Sequence, residues 1–244
     1  MNRSALTLLT ALISGTVTHP LLAGESPAPG STEEYQLALT LTPDLNRGRL
    51  LYLNCVSCHG PEGWGRRNGT YPQIAGQLPG VIIKQLEDIR QGNRSNPIMR
   101  AFTSNRILDG AQDIADVAAY VAALPMSPEN GQGKARLIPE GKVIYEENCQ
   151  DCHGTQGEGD PKEQIPLLYG QHYRYLKRQF DHIRRGLRKN ADEEMTKQIK
   201  GFDRDQEIAV LSYTASLRPP AEKVAPPNWR NMDFPQYQRP PFPR

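Results

Sequence analysis

The string Cys-x-x-Cys-His occurs twice in this chain, at Cys55, Cys58 and His59 and again at Cys149, Cys152 and His153, 94 residues further on (149 − 55). These two strings contain all four cysteines of the sequence. The same shift of 94 carries Pro72 onto Pro166, Gly76-Gln77 onto Gly170-Gln171 and Gln85 onto Gln179, and it superposes Ile89, Arg90 and Gly92 on Ile183, Arg184 and Gly186. It also places Ile114-Ala115 on Ile208-Ala209. A repeat of this length sets the domain count. Two homologous domains are expected, over residues 32–124 and 139–217, joined by a Pro- and Gly-containing linker at 125–138. With 244 residues and 37% hydrophobic content, each half has enough material for a modest core of its own.

Within each half the pattern is helical. Ile114, Val117, Ala118, Val121 and Ala122 fall at i, i+3, i+4, i+7 and i+8, the apolar stripe of an amphipathic helix, and Pro125 stops it. Ile208, Leu211 and Ala215 mark its counterpart, ended before Pro219. Helical signals also precede each cysteine pair and occupy 81–90 and 173–185. Alternating polar and apolar runs, the mark of strands, are scarce. An all-α fold of two tandem units is expected.

Two thiols three positions apart reach one face of a planar ligand, and the adjacent histidine projects an imidazole nitrogen over its centre. That arrangement is c-type haem attachment: the thiols form thioethers with the porphyrin, and His59 or His153 becomes the proximal iron ligand. Two covalently bound haem c groups are therefore expected. A zinc site needs a second ligand pair within about 12–20 residues, and these pairs lie 94 apart. A thioredoxin-like dithiol needs a strand-rich βαβ context and gives no role to the histidine. For the sixth iron position, Met99 lies 40 residues after His59 (99 − 59) and Met195 lies 42 after His153 (195 − 153). Their near-equal placement makes them the natural pair. Met126 in the linker and Met232 in the tail have no counterparts, and His172 and His182 are competing ligands for the second haem that no first-domain histidine matches.

The first residues place Arg3 before an apolar run broken at His19-Pro20, which reads as an export signal over 1–24. The run is too short for a membrane span of about 20 residues, so a periplasmic protein is expected. A formal charge of +2, from 29 basic and 27 acidic residues, gives no reason to expect nucleic-acid binding. The stretch from Arg174 to Lys189 holds seven basic residues and one acidic residue. It suits guidance of an acidic partner, a solvated helix face or neutralisation of haem propionates. The Pro-rich tail, 218–244, is neither helix nor central strand and is expected to lie extended on the surface or to be flexible.

Taken together, CVSCHGPEG and CQDCHGTQG, YPQIAGQ and IPLLYGQ, NPIMRAF and the closing helix IADVAAYVAALP resemble the cytochrome c4 family, dihaem electron carriers built from two fused class I cytochrome c domains. The resemblance covers about 45–217 and excludes the tail. It implies that the carbonyls of Pro72 and Pro166 accept a hydrogen bond from the outer nitrogen of each axial histidine. The second half departs from the family pattern at NADEEMTKQIK, which lacks the Pro-x-Met of the first. The implied function is single-electron transfer by a soluble or loosely membrane-associated carrier, not an enzyme. Its redox partners would be a membrane oxidase, a bc1-type complex or a periplasmic dehydrogenase, with a role as the haem subunit of a dehydrogenase complex as the second reading.

Overall fold

The structure is a computed structural model that describes residues 32–237. The expected export signal lies outside the described residues. Among those residues the regular structure is helical, with β pairing confined to three isolated bridges. The first half contains α1 (Glu33–Thr40), α2 (Leu45–Tyr52), α3 (Val56–His59), α4 (Pro79–Gln91), α5 (Pro97–Phe102) and α6 (Gly110–Ala123). The second repeats the last five as α7 (Ile138–Asn148), α8 (Gln150–His153), α9 (Tyr173–Arg184), α10 (Glu193–Gly201) and α11 (Arg204–Ser216). Helix α1 has no counterpart; it buries Tyr35 and Ala38 in the first core.

Local chemistry sets the ends of these helices. Asp44 caps α2 by accepting from the backbone N–H groups of Asn46 and Arg47, and Asp203 with Gln206 forms a reciprocal capping box on α11. Each domain is then built on a close crossing of its first long helix with its last. A Cβ on Gly48 would stand 2.2 Å from the Asp116 carbonyl oxygen, and one on Gly141 would stand 2.0 Å from that of Ala209. Only glycine lets the backbones approach so closely. Beside each crossing two tyrosine rings pack, Tyr52 on Tyr120 at 5.4 Å and Tyr145 on Tyr213 at 5.2 Å between centroids. These pairs repeat at 93 rather than 94 (141 − 48, 145 − 52, 209 − 116): α7 runs on to Asn148 and reaches its cysteine one residue later than α2 does, and the stretch from the cysteine to the crossing on the last helix is one residue shorter in the second domain (209 − 149 against 116 − 55). The expected match of Ala115 with Ala209 is therefore one residue out at the crossing: Asp116 holds that place. Substituting Gly48 or Gly141 by alanine is expected to lower unfolding free energy by about 1–3 kcal/mol, as overpacking does. Denaturant unfolding of each variant checks this, and an unchanged midpoint would mean the helices separate freely.

The linker is not a loose spacer. Met126 is 1% exposed and sits between Gly76 and Gly170, equivalent residues of the two domains, each held at a φ near the left-handed region (+70° and +71°). Added Cβ atoms there would meet the methionine at 2.5 and 3.1 Å. Asn130, also buried, donates through Nδ2 to the carbonyls of Gln171 and Ala215 at 2.6 and 2.8 Å.

After Leu217 the chain does not stay on the second domain. Residue 126 pairs with the returning segment, its N–H donating to Lys223 O at 2.8 Å and its carbonyl accepting from the Ala225 N–H at 2.9 Å. The segment then crosses to the first domain. Trp229 packs 5.9 Å from Trp64, Asn231 donates to Pro61 O at 2.7 Å and to the Tyr120 hydroxyl at 2.9 Å, and Phe234, 4% exposed, enters the first core between Tyr52 and Tyr120. The surface-lying or flexible tail expected from its proline content is thus, over 218–237, an ordered strap with aromatic anchors. Its regular structure is limited to one 3-10 turn at Ala221–Lys223 and a single bridge from Val224 to Met126, since proline disfavours longer helix and sheet but not the burial of the aromatic residues between the prolines.

Candidate haem sites

Each Cys-x-x-Cys-His string occupies a single helical turn. Cys55 and Cys149 are the N-cap residues of α3 and α8, and the N–H groups of His59 and His153 donate to their carbonyls at 3.0 Å in both domains. Positions i and i+3 of one turn face the same way, so the two thiols of each pair point to one side. Gly60 and Gly154, at φ +79° and +81°, reverse the chain immediately after the histidine. The Tyr52 and Tyr145 hydroxyls donate to the carbonyls of these glycines at 2.7 and 2.8 Å. The tyrosines at the helix crossing thereby hold the motif against the core.

Both histidines are buried. Nδ1–H of His59 donates to Pro72 O and that of His153 to Pro166 O, each at 3.1 Å. Burial pushes the His59 imidazole down to about 4 and also lowers that of His153. A neutral ring with Nδ1–H committed to a carbonyl keeps the Nε2 lone pair for a metal. Burial pushes the Cys55 and Cys149 thiols up to about 12, which argues against a reactive dithiol. Among the described residues no group of three or more His, Cys, Asp and Glu side chains converges as a metal cage. The donor chemistry therefore fits covalent haem and not zinc.

Met99 and Met195 occupy the same local structure. Each is the third residue of its helix, α5 or α10, and its backbone N–H donates to the N-cap side chain, Asn96 at 3.3 Å and Asp192 at 3.0 Å. The second segment thus keeps the geometry of the first without its proline. Neither helix was signalled by periodicity, being too short to show it.

His172 is not available to a metal. It is 1% exposed, Nδ1 accepts from the Gly131 N–H at 3.1 Å, and Nε2–H donates across the domain junction to Trp64 O at 2.8 Å. His182 lies in the last turn of α9. Burial holds His172 below its ordinary value. Between that lowered value and about 6.5 the unfolded chain binds a proton that the folded protein refuses, so stability is complete above about 6.5 and declines as pH falls below it. The melting temperature of the protein is expected to drop on acidification, and His172→Gln to flatten that slope. His182, lowered in the same direction by burial, acts in both proteins and cancels in the difference. Parallel slopes would contradict the assignment.

Part of the basic stretch is paired within the protein, while Arg174, Arg185 and Lys189 are exposed. Lys177 and Arg184 pair with buried Glu207 at 3.0 and 2.5 Å, and Arg178 reaches Thr70 O of the first domain at 3.2 Å. Arg188 has an equivalent 94 residues earlier, Arg94, a further identity of the repeat. The two meet at the junction through an antiparallel bridge, and both guanidinium groups donate to Gln179 Oε1 and Gln85 Oε1. Neither pairs with a carboxylate among the described residues. Burial and the neighbouring Arg94 bring Arg188 down to about 9. Two guanidinium groups without carboxylate partners at the domain junction suit anionic groups such as haem propionates.

Two helical domains, each presenting one Cys-x-x-Cys-His turn and one N-capped methionine, define a tandem two-domain cytochrome c. The cytochrome c family pattern matches residues 45–125 and again 138–217. A cytochrome c4 of Thiocapsa roseopersicina is 34% identical over 167 residues, 65% of this chain and 83% of the relative. A thiosulfate dehydrogenase electron acceptor of Stutzerimonas stutzeri is 34% identical over 175 residues, 67% of this chain and 78% of the relative. The crystal structure of reduced recombinant cytochrome c4 from Pseudomonas stutzeri superposes with a TM-score of 0.61 at 25% identity, covering 72% of this chain and 100% of that one. The chain belongs to the cytochrome c4 family, and its two Cys-x-x-Cys-His motifs imply two covalently attached haem c groups. The match ends at 217, so the strap at 218–237 lies outside it.

Proposed function

We propose that this protein is a periplasmic dihaem electron carrier in which His59 and Met99 ligate the first iron and His153 and Met195 the second. The observation that carries this reading is the duplicated pairing of a buried, Nδ1-anchored histidine with a methionine at the third position of an N-capped helix. When bound, each haem would supply a one-electron iron couple, and a methionine ligand would raise its potential. The chain's part is to hold both ligands in place in either oxidation state, to exclude water through the two cores and, through Arg94 and Arg188, to neutralise propionate charge at the junction. Residues 1–24 serve as the export signal, and among the described residues no helix is long and apolar enough to cross a membrane.

A redox titration of the purified protein followed by its absorption spectrum tests this reading: two one-electron steps are expected, whereas one step, or none, would contradict it. Met195→Ala is expected to turn the second haem high-spin and to remove half of the weak sulfur-to-iron band, with the first haem unaffected.

The partner class supported best is a pair of membrane or periplasmic redox proteins served in turn. The likeness to a thiosulfate dehydrogenase electron acceptor favours a second reading, a dedicated acceptor for one periplasmic dehydrogenase. Purification from the native cell separates them: a free protein supports the shuttle, and a stable complex with a dehydrogenase subunit supports the acceptor.

A further inference from the structure

Gln77 and Gln171 are equivalent residues, and each reaches into the opposite domain. Gln171 Oε1 accepts from the N–H of Gln73 at 3.1 Å, and its Nε2 donates to the carbonyl of the same residue at 2.8 Å. Gln77 Oε1 accepts from the N–H of Leu167 at 3.1 Å, and its Nε2 donates to the Leu167 carbonyl at 3.1 Å. Gln73 and Leu167 share no side-chain chemistry, so the target in both cases is the main chain. The peptide units engaged are Pro72–Gln73 and Pro166–Leu167, whose carbonyls accept from Nδ1–H of His59 and His153. Each proximal histidine therefore ends a continuous chain: imidazole N–H to carbonyl, through one peptide unit, then peptide N–H to a glutamine of the other domain.

An acceptor on a peptide N–H shifts electron density toward that peptide's carbonyl oxygen, because hydrogen bonds in series polarise one another. A more negative oxygen is a better acceptor for the imidazole N–H, and this makes the ring a stronger donor to iron. Stronger donation favours iron(III) and lowers the potential. We propose that Gln171 sets the potential of the first-domain haem and Gln77 that of the second, each acting from the other domain as a positioning residue on the proximal histidine. The two potentials are thereby coupled to the integrity of the domain junction: opening it raises both. This inference rests on the proposed histidine ligation.

The test is spectroelectrochemistry of the full protein with Gln171→Leu and Gln77→Leu, the two haems being assigned to their domains by the paramagnetically shifted NMR signals of the axial histidines. Gln171→Leu is expected to raise the first haem's potential, changing its oxidised-to-reduced ratio about threefold, or ~28 mV at about 59 mV per tenfold for one electron, and to leave the second nearly unchanged. Gln77→Leu is expected to do the reverse. Gln171→Met, which keeps the length and packing of the side chain without its amide, is expected to move the first haem the same way as the leucine variant, and it carries the same test should the leucine variants lose haem. A merely structural role would expose both haems and move them together. Equal shifts, a shift confined to the substituted residue's own domain, or no shift would overturn the proposal. If the parent protein lacks two histidine–methionine haems, the functional reading fails; if it has them and the crossed shifts are absent, only this inference does.

Discussion

Phe234→Ala lowers the unfolding free energy of the first domain by about 3–5 kcal/mol, the usual cost of removing a buried phenylalanine. Its ring is 4% exposed and lies 5.7 Å from Tyr52 and 6.4 Å from Tyr120 between centroids, against the residues that hold the helix crossing and anchor the Cys-x-x-Cys-His turn. Little can collapse into the vacated space, because the crossing is already as close as glycine permits. The neighbouring hydrogen bonds of Asn231 to Pro61 O and of Tyr120 to Asp233 at 2.8 Å lose their alignment as well. Met232, two residues away and 75% exposed, is the control: Met232→Ala stays within about 0.5 kcal/mol, as surface substitutions do. Denaturant unfolding followed at the first haem measures both. Equal effects of the two substitutions would show that the strap rests on the domain without completing its core.

Replacing Cys55 and Cys58 together by alanine removes the covalent attachment of one haem and leaves the other. The expected result is a fall from two haems to one per chain after denaturing extraction, which removes haem that is only ligated. The remaining haem belongs to the second domain because Cys149 and Cys152 form an independent turn on a separate core. His59 would keep its hydrogen bond to Pro72 but lose the thioethers that would tie the haem to its turn. The first domain should then melt earlier, because a ligand that binds only the folded state stabilises it. Retention of two extractable-resistant haems would show that attachment does not depend on these thiols.

The chemistry of the haem turns was legible in the sequence because it depends on residue types at fixed short spacing. The equivalent placement of Met99 and Met195 was legible by counting, although their helices were not: α5 has six residues and α10 nine, too few for a periodic stripe to stand out. The reversed tail escaped because composition reports what backbone proline forbids, while the decisive contacts are made by Trp229, Asn231 and Phe234 with residues far away in the chain. The linker's low apolar periodicity hid Met126, a single residue held between two glycines. The repeat displayed Gly-Gln twice, but two equivalent glutamines can bond within a domain or across the junction, and a linear repeat cannot distinguish these. The change of period from 94 to 93 stands in the identical pairs Gly48 and Gly141, Tyr52 and Tyr145, and Tyr120 and Tyr213, but a single fixed shift of 94 passes over it.

If each domain holds one covalent haem between histidine and methionine, the absorption spectrum of the oxidised protein, taken together with its haem-to-protein ratio, shows it most directly. Two haems per chain are expected, both low-spin, with the sulfur-to-iron band at full strength for two methionine-ligated irons. One haem per chain, or a high-spin second haem with half that band, would contradict it.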